Sequence, residues 1–436
     1  MSHLQERIIG NRNPLRLLWH KSKALAAAVR YRFPARHLTV IGITGTDGKT
    51  TTVGMTTHIL LKAGIRVGAL STAFFQIDDR ITWNATQKTS PSPFIVQKFL
   101  RDLVTAGCTH AVLECSSHGL VQGRTLFTWP AVAAITNTSM EHLDYHGTME
   151  QYREDKGTLF RMLRGGGTKV LNCDDDSCAM YERIRSQRTI LTSAHDVLYG
   201  KDGLWISNME VSSVGSKADL HVDRELFPLA LSIPGTFNLE NALCSIGCAH
   251  AVGVPIASAT TALQTFRGVP GRLERIAEGQ PFSVFVDFTV TPIAYEKTLK
   301  AIRTMIEPGK RILVMTGSCG DRMKEKRPLI GKICSELADV VAVTNEDPYT
   351  EDPKKIIDDV WSGIDQNKTE AHRVSDRKEA MKCLFAEAQP GDAVLLAGKG
   401  SDTTMWTAVG QVPWNEREIA SELLRAVLDQ GRGGQM

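Results

Sequence analysis

The sequence lacks the marks of several protein classes. No two of its nine cysteines have C-x-x-C spacing, and an odd count in a long chain argues for reduced thiols rather than a disulfide framework or zinc ribbon. Cys244 and Cys248 lie four apart on an expected helix, but no clustered histidine completes a metal site, so both are expected to be buried. No run approaches the roughly 18 apolar residues that cross a bilayer. A signal peptide's apolar core is missing too, because Arg12, Arg16, Lys21 and Lys23 interrupt the N-terminus. Together these absences predict a cytoplasmic protein. With 42% apolar and 23% charged residues and no low-complexity tract, wholesale disorder is excluded. A length of 436 residues predicts about two to four domains.

Acidic residues are nearly absent from the first 36 positions, which hold Glu6 against eight Lys/Arg, a local +7. The remainder holds 43 Lys/Arg against 47 Asp/Glu, or −4. The overall +3 therefore conceals a basic arm on a mildly acidic body, which argues against a general nucleic-acid-binding surface. Within the arm, Leu15, Leu18, Leu25 and Val29 recur at helical spacing, with Trp19 nearby. Two readings follow: a basic amphipathic helix making peripheral contact with an anionic membrane through residues 1–36, or a helix packed on its own protein. The weakly apolar, alanine-rich run 24–28 favours packing.

From Leu38 onward, short β-rich runs alternate with helix-length stretches. LTVIGI (38–43), IRVGAL (65–70), HAVLEC (110–115) and AVAAITN (131–137) read as buried strands; 49–63 and 93–106 read as helices. Such alternation implies an α/β fold with a mostly parallel sheet. Residues 170–232 read as antiparallel strands, and 239–252 as a helix. The Gly/Pro-rich segment FRGVPGRLE (266–274) is the best linker. Beyond it SVFVDF, RILVMTG, DVVAVTN and DAVLLAG restart the alternation in a second α/β domain.

The segment ITGTDGKTTT joins the first strand to the first helix of that pattern. Backbone N–H groups of such a loop, with the helix N-terminus, can surround phosphate oxygens. Gly45, Thr46, Asp47, Gly48, Lys49, Thr50 and Thr51 are the expected ATP-binding residues, with Lys49 a point charge for the phosphates and Thr50 a hydroxyl for Mg²⁺. The strict G-x-x-x-x-G-K-T pattern is not met, since Ile43 holds the first glycine's place. Ligands of open α/β sheets bind beyond the carboxyl ends of strands. Glu114 closes one strand there, and Asn137 closes another that leads to His142; a carboxylate and an imidazole so placed suit a metal held against phosphate. Lys156, alone on a helix beginning near Met149, reads as an ordinary solvent-facing lysine.

GTDGKTTT, ECSSHGLVQGR, NTSMEHLDYHGTMEQYREDKGTLF, GTFNLENAL, VPGRLE, GDRMKEKRP and GKGSD occur in the order seen in the Mur ligases, and the chain over roughly 38–425 resembles their tripeptide-synthetase branch. The resemblance implies an ATP- and Mg²⁺-dependent ligase of peptidoglycan precursor synthesis, joining a free amino acid to a carboxylate of a nucleotide-sugar peptide through an acyl phosphate. Composition and the resemblance together predict a basic N-terminal arm at 1–37, a central P-loop ATPase domain at 38–270 and a C-terminal Rossmann-like domain at 271–436, and a monomer is expected. The resemblance alone supplies the residue roles. It gives Lys49, Glu114, His142 and Lys156 catalytic ones. Lys156 matches a carbamoylated lysine that joins Thr50, Glu114 and His142 in holding metal. Asn238 or Asn241 would meet adenine, Arg272 the phosphates and Asp287 the ribose. Thr89, Ser90, Ser116, Gln122 and Arg124 would contact the acceptor. Arg322, Glu346, Asp347, Pro348, Tyr349, Gly398 and Asp402 would form the amino-acid pocket.

Three departures qualify the match. About 37 residues stand where the family carries a uridine-nucleotide-binding domain, so the uridine contact is missing, rebuilt by the basic arm, or unneeded for an altered acceptor. The family's D-Y-A-H-T-P reads DFTVTP, with Val290 for the histidine and Ile293 for the following acid. The D-N-P-R of diaminopimelate-adding members reads EDPY, with Tyr349 for an arginine that pairs with a substrate carboxylate. The acids Glu346, Asp347, Glu351 and Asp352 either suit an amino acid with a distal ammonium, such as lysine, or form a solvated loop and helix N-terminus. Two other readings remain: a Mur-like ligase acting outside standard peptidoglycan synthesis, and a non-catalytic nucleotide sensor.

Overall fold

Strand β1 (Thr39–Thr44) lies at the centre of the larger of two main sheets, where its β-branched run TVIGIT is covered on both faces. The computed structural model describes residues 13–433 apart from 85, 87, 199 and 201. Its described chain divides into two compact units, meeting in sequence between Arg267 and Gly268; Val211–Gly215 and Ile233–Gly235 group with the second.

The helix expected in the basic arm is α1 (Pro14–Arg30). Its start is fixed by Pro14 and by Asn13, whose side chain accepts a hydrogen bond from the Leu15 N–H at 2.9 Å. It packs through Ala24, Ala27 and Ala28, all fully buried, on α3 (Pro93–Thr105). The large apolar residues Leu15, Leu18, Trp19, Leu25 and Val29 face outward. Periodicity grouped those residues correctly but did not say which face was buried. The small alanine side chains let two helix backbones come close, so the weakly apolar run makes the contact. The part of the arm before residue 13 lies outside the described residues.

In the first unit β1 is flanked by β5 (His110–Glu114) and β6 (Val132–Ile135), both parallel to it. The sheet continues on one side through β2 (Val67–Leu70) to the hairpin β3 (Phe74–Ile77) and β4 (Arg80–Trp83). On the other side lie β7 (Thr168–Asn172), β8 (Arg188–Ser193), β9 (Gly203–Ser212), β10 (Gly215–Val222) and β11 (Glu225–Leu231). The antiparallel expectation for 170–232 needs correction. β7, β8 and the start of β9 extend the parallel sheet, and β10 pairs antiparallel with β11. Connections long enough to cross back, one containing the short helix α7 (Cys178–Glu182), allow the parallel pairing.

One face of this sheet packs Leu113, Ile135 and Leu171 against Phe99, Leu100 and Leu103 of α3 and Leu159 and Phe160 of α6 (Met149–Arg161). Each such side chain contributes about 1.5–3 kcal/mol by leaving water. The other face carries α2 (Lys49–Lys62) and α8 (Thr236–Ala251), which pack on each other and on α9 (Ile256–Leu263).

In the second unit six strands run in the order β12 (Glu274–Ile276), β13 (Ser283–Asp287), β17 (Ala393–Ala397), β14 (Ile312–Thr316), β15 (Val340–Val343) and β16 (Glu370–Arg373). All neighbours are parallel except β12, which is antiparallel to β13. Helices α10 (Pro292–Met305), α11 (Lys326–Leu337) and α12 (Pro353–Trp361) pack in sequence. Helices α13 (Arg377–Glu387) and α14 (Glu416–Gly433) pack together over the sheet residues Val284, Leu313, Val340 and Val394.

Candidate active site

Beyond β1 the chain turns through Gly45–Gly48 into α2, with Lys49 as its first residue. Glycine is required at both ends of this turn. A Cβ on Gly45 (φ +146°) would stand 1.9 Å from the Thr136 hydroxyl, and one on Gly48 (φ +79°) 2.1 Å from Asn241 Oδ1. The chain beyond β6 braces the loop: Asn137 Oδ1 accepts from the Asp47 N–H at 3.0 Å, and the Thr136 hydroxyl donates to the Asp47 carbonyl at 2.6 Å. Thr46 Oγ1 meets the Tyr152 hydroxyl at 3.1 Å and accepts from the Ser139 N–H at 3.0 Å. The Lys49 ammonium donates to the Thr46 carbonyl at 2.7 Å.

Lys156 corrects the solvent-facing reading. Its side chain is buried beneath the loop, with Nζ 2.5 Å from the Gly45 carbonyl and 4.3 Å from the centre of the Tyr152 ring. Burial, reinforced by nearby Lys49, holds its pKa well below the ordinary lysine range.

Glu114 is buried at the end of β5. Both its oxygens lie 3.1 Å from the Thr50 hydroxyl, and they also accept from Thr72, at 2.6 Å from its N–H and 2.9 Å from its hydroxyl. Thr50 and Glu114 thus present hydroxyl and carboxylate oxygens together, the donor type preferred by a hard divalent cation. His142, in a left-handed conformation (φ +56°), belongs to an aromatic cluster whose centre is His118: ring centroids stand 4.8 Å apart for His142, 4.1 Å for Tyr145 and 5.2 Å for His146.

The five candidate acceptor residues form one connected set. Thr89 accepts from Thr72 at 2.9 Å, and Ser90 Oγ lies 3.0 Å from the Ser116 N–H and 3.2 Å from its hydroxyl. Arg124 donates twice to Gln122 Oε1, at 3.0 and 2.7 Å, and once to the Ser90 carbonyl at 2.7 Å. Among the described residues the hydrogen-bond partners of this guanidinium are neutral, and burial lowers its pKa. An anionic group would be a better partner. Asn238 and Asn241 are buried on α8, where Asn241 packs against Gly48, accepts from the Thr52 hydroxyl at 3.3 Å and donates to Asn238 at 3.3 Å. Asn241 therefore also acts as a support for the loop.

Arg272 and Asp287 belong to the second unit. The Arg272 guanidinium lies 4.8 Å from the Phe288 ring; Asp287 accepts from the Leu273 N–H at 2.6 Å and from the Thr289 hydroxyl. Val290 follows on the turn into α10 and accepts from Lys326 through its carbonyl. The candidate amino-acid residues gather at the carboxyl ends of β14, β15 and β17. Tyr349 (φ +51°) stacks on Trp406 at 5.4 Å, and Arg322 lies 5.7 Å from its ring. A Cβ on Gly398 would stand 2.7 Å from Glu346 Oε2, and the Pro348 carbonyl is packed tightly against Gly320.

The acids at 346–352 divide: Glu346 and Asp347 are buried, Glu351 is partly buried, and Asp352 is exposed at a helix N-terminus, where the solvated alternative holds. Asp347 accepts two bonds of 2.9 Å from Lys399, which also pairs with Asp402 at 3.1 Å. Glu346 accepts from the Cys319 thiol at 3.0 Å, and burial raises its pKa. Glu351 pairs with the fully buried Arg327, which holds its pKa down near 2; Asp352 caps α12. Each acid answers a structural need within its own unit.

Two family models match: the Mur ligase middle domain over residues 43–249 and the Mur ligase, glutamate ligase domain over 271–400. The chain is 37% identical to a UDP-N-acetylmuramyl-tripeptide synthetase of Roseiflexus sp. (strain RS-1), covering 94% of this chain and 82% of that relative. It is 35% identical to a UDP-N-acetylmuramoyl-L-alanyl-D-glutamate--2,6-diaminopimelate ligase of Bacillus licheniformis, covering 95% and 84%. The chain belongs to the Mur ligase family. A solved 2,6-diaminopimelate ligase structure superposes with a TM-score of 0.64 at 28% identity, covering 89% of this chain and 78% of that one. The MurF ligase of Thermotoga maritima in complex with ADP shares the fold, with a TM-score of 0.67 at 21% identity over 93% and 84% of the two chains.

In this Mur ligase, motif reading missed several residues that shape the candidate site. Thr72 follows a third strand end, so the rule that selected Glu114 would have found it. A buried Asp155–His146–Ser117 chain had no local signal: His146 Nδ1 lies 2.5 Å from Asp155 Oδ2, and Nε2 lies 3.0 Å from Ser117 Oγ. Lys399 stood unread between Gly398 and Asp402.

Proposed function

We propose that this Mur ligase uses ATP to join a free amino acid to the carboxylate of a muramoyl-peptide-type acceptor, in peptidoglycan precursor synthesis. The observation that carries the reading is the meeting of Lys49, Thr50, Glu114 and buried Lys156 around one strand–loop–helix turn. A carboxylate is a poor electrophile, so an acceptor oxygen first attacks the γ-phosphorus of ATP. The P–O bond to ADP breaks and an acyl phosphate forms. The amine of the incoming amino acid then attacks the acyl carbon, the amine gives up its proton, and inorganic phosphate leaves with the acceptor's oxygen.

In this reading the Gly45–Gly48 loop and Lys49 bind the phosphates, because N–H groups and a fixed ammonium favour charge that spreads over the transferring oxygens. Arg124, with its neutral partners, orients the acceptor. Mg²⁺ held by Thr50, Glu114, His142 and a carbamate on Lys156 would offset phosphate charge. Arg322, Tyr349 and the 346–348 turn receive the amino acid; Asp347, Lys399 and Asp402 fix that turn rather than select a cation. Tyr349 lacks the paired donors that an arginine would offer a second substrate carboxylate, which disfavours diaminopimelate. In this reading the phosphate cradle belongs to the first unit and the amino-acid pocket to the second.

Phosphate release tests this reading, measured across amino acids with UDP-muramoyl-dipeptide and a nucleotide-free analogue as acceptors. Release should require ATP, one of these acceptors and an amino acid, and Lys49→Ala should lower it by at least about a hundredfold. Full release from Lys49→Ala, or release indifferent to acceptor and amino acid, would refute the assignment.

A further inference from the structure

Helix α1 is buried on one side and greasy on the other. At roughly 100° per residue, Leu15, Leu18, Trp19, Leu25 and Val29 fall within an arc of about 120°, opposite the alanines that pack on α3. Leu15 is 76% exposed and Trp19 58%. Lys23 and Arg30 border the stripe on one side and Lys21 on the other; Lys23 Nζ lies 5.0 Å from the Trp19 ring centre. No acid occurs between Glu6 and Asp47.

We propose that α1 is a docking surface for an anionic lipid bilayer, lying flat with its stripe in the headgroup–acyl boundary. Charge decides among occupants. Around a two-fold axis a second copy would set these cations against one another. A neutral surface would leave the flanking cations without counter-charge. An anionic interface accepts the apolar stripe while Lys21, Lys23 and Arg30 extend to the headgroups. The Lys21 flank of the stripe adjoins the candidate acceptor segment: Lys21 Cγ lies 3.7 Å from where a Cβ on Gly123 would stand, between Gln122 and Arg124. Resting on the acceptor assignment, this adjacency sets the acceptor site beside the docked surface, where a membrane-associated muramoyl peptide would arrive.

The test is co-sedimentation of the full chain with phosphatidylglycerol-containing vesicles and with pure phosphatidylcholine vesicles, at low and high salt. Binding to the anionic vesicles should be at least about tenfold tighter and weaken with salt, since each cation near such a surface contributes about fivefold. Leu18→Glu with Trp19→Glu should abolish binding while circular dichroism and phosphate release with soluble acceptor stay unchanged. Lys23→Glu with Arg30→Glu, as an independent pair, should weaken binding at least about tenfold. No binding, equal binding to neutral vesicles, binding unchanged in the Leu18/Trp19 variant, or a dimer that this variant dissolves would overturn the proposal. The readout needs no catalysis, so its failure leaves the ligase reading intact.

Discussion

A neutral amine is the form of lysine that attacks carbon dioxide, and Lys156 is held towards that form by burial under the phosphate loop with Lys49 close by. The resulting carbamate would bring a negative charge to a place that disfavours the ammonium. We expect protein equilibrated with ¹³C-bicarbonate to show a carbamate carbon signal that is missing from Lys156→Ala, and that variant to lose about 10–100-fold in activity. An identical signal from the variant would remove Lys156 from this role. At this scale the sequence was unevenly legible. Lys49 could be read because a strand, a Gly-Lys-Thr turn and a helix occur together. Lys156 could not, since a lone lysine on a helix gives no sign of its burial; only family resemblance singled it out. The Glu346–Asp352 acids were equally readable as a cation-binding pocket or as a solvated loop and helix N-terminus, because the partners Lys399, Cys319 and Arg327 come from distant positions that no local pattern connects.

Secondary elements repeat the lesson in their facings. Buried strands such as HAVLEC and DAVLLAG were legible as short apolar runs, and their ends correctly marked where polar candidates collect. Parallel pairing of β7, β8 and β9 was not, because pairing direction depends on the path of the connections rather than on strand composition. Helix α1 shows the same limit, since periodicity groups residues without naming the buried face. Ala27, fully buried at the contact with α3, should resist enlargement: Ala27→Leu is expected to cost about 1–3 kcal/mol by overpacking. Leu18→Ala should fall within about 0.5 kcal/mol of wild type because Leu18 is exposed. Thermal or denaturant unfolding checks the pair, and the opposite ranking would reverse the assigned faces.

Across the whole molecule, two α/β units place many of their candidate residues by one rule, at the carboxyl ends of parallel strands, while Lys156, Asn238 and Asn241 reach the site from helices. In the first, Gly45 and Asn137 follow β1 and β6, and Glu114 closes β5; in the second, Glu346 and Gly398 follow β15 and β17. That common placement made the site's outline readable from strand ends, whereas the bracing of each loop emerges only from the folded contacts. The central claim is that an acceptor carboxylate is activated by phosphoryl transfer at the Lys49 loop. Its most direct measurement uses acceptor labelled with ¹⁸O in the reacting carboxylate, followed by mass analysis of the released phosphate. One labelled oxygen should pass to each phosphate formed from a fully labelled acceptor, because the attacking oxygen leaves with phosphorus. Unlabelled phosphate accompanying amide formation would contradict the account.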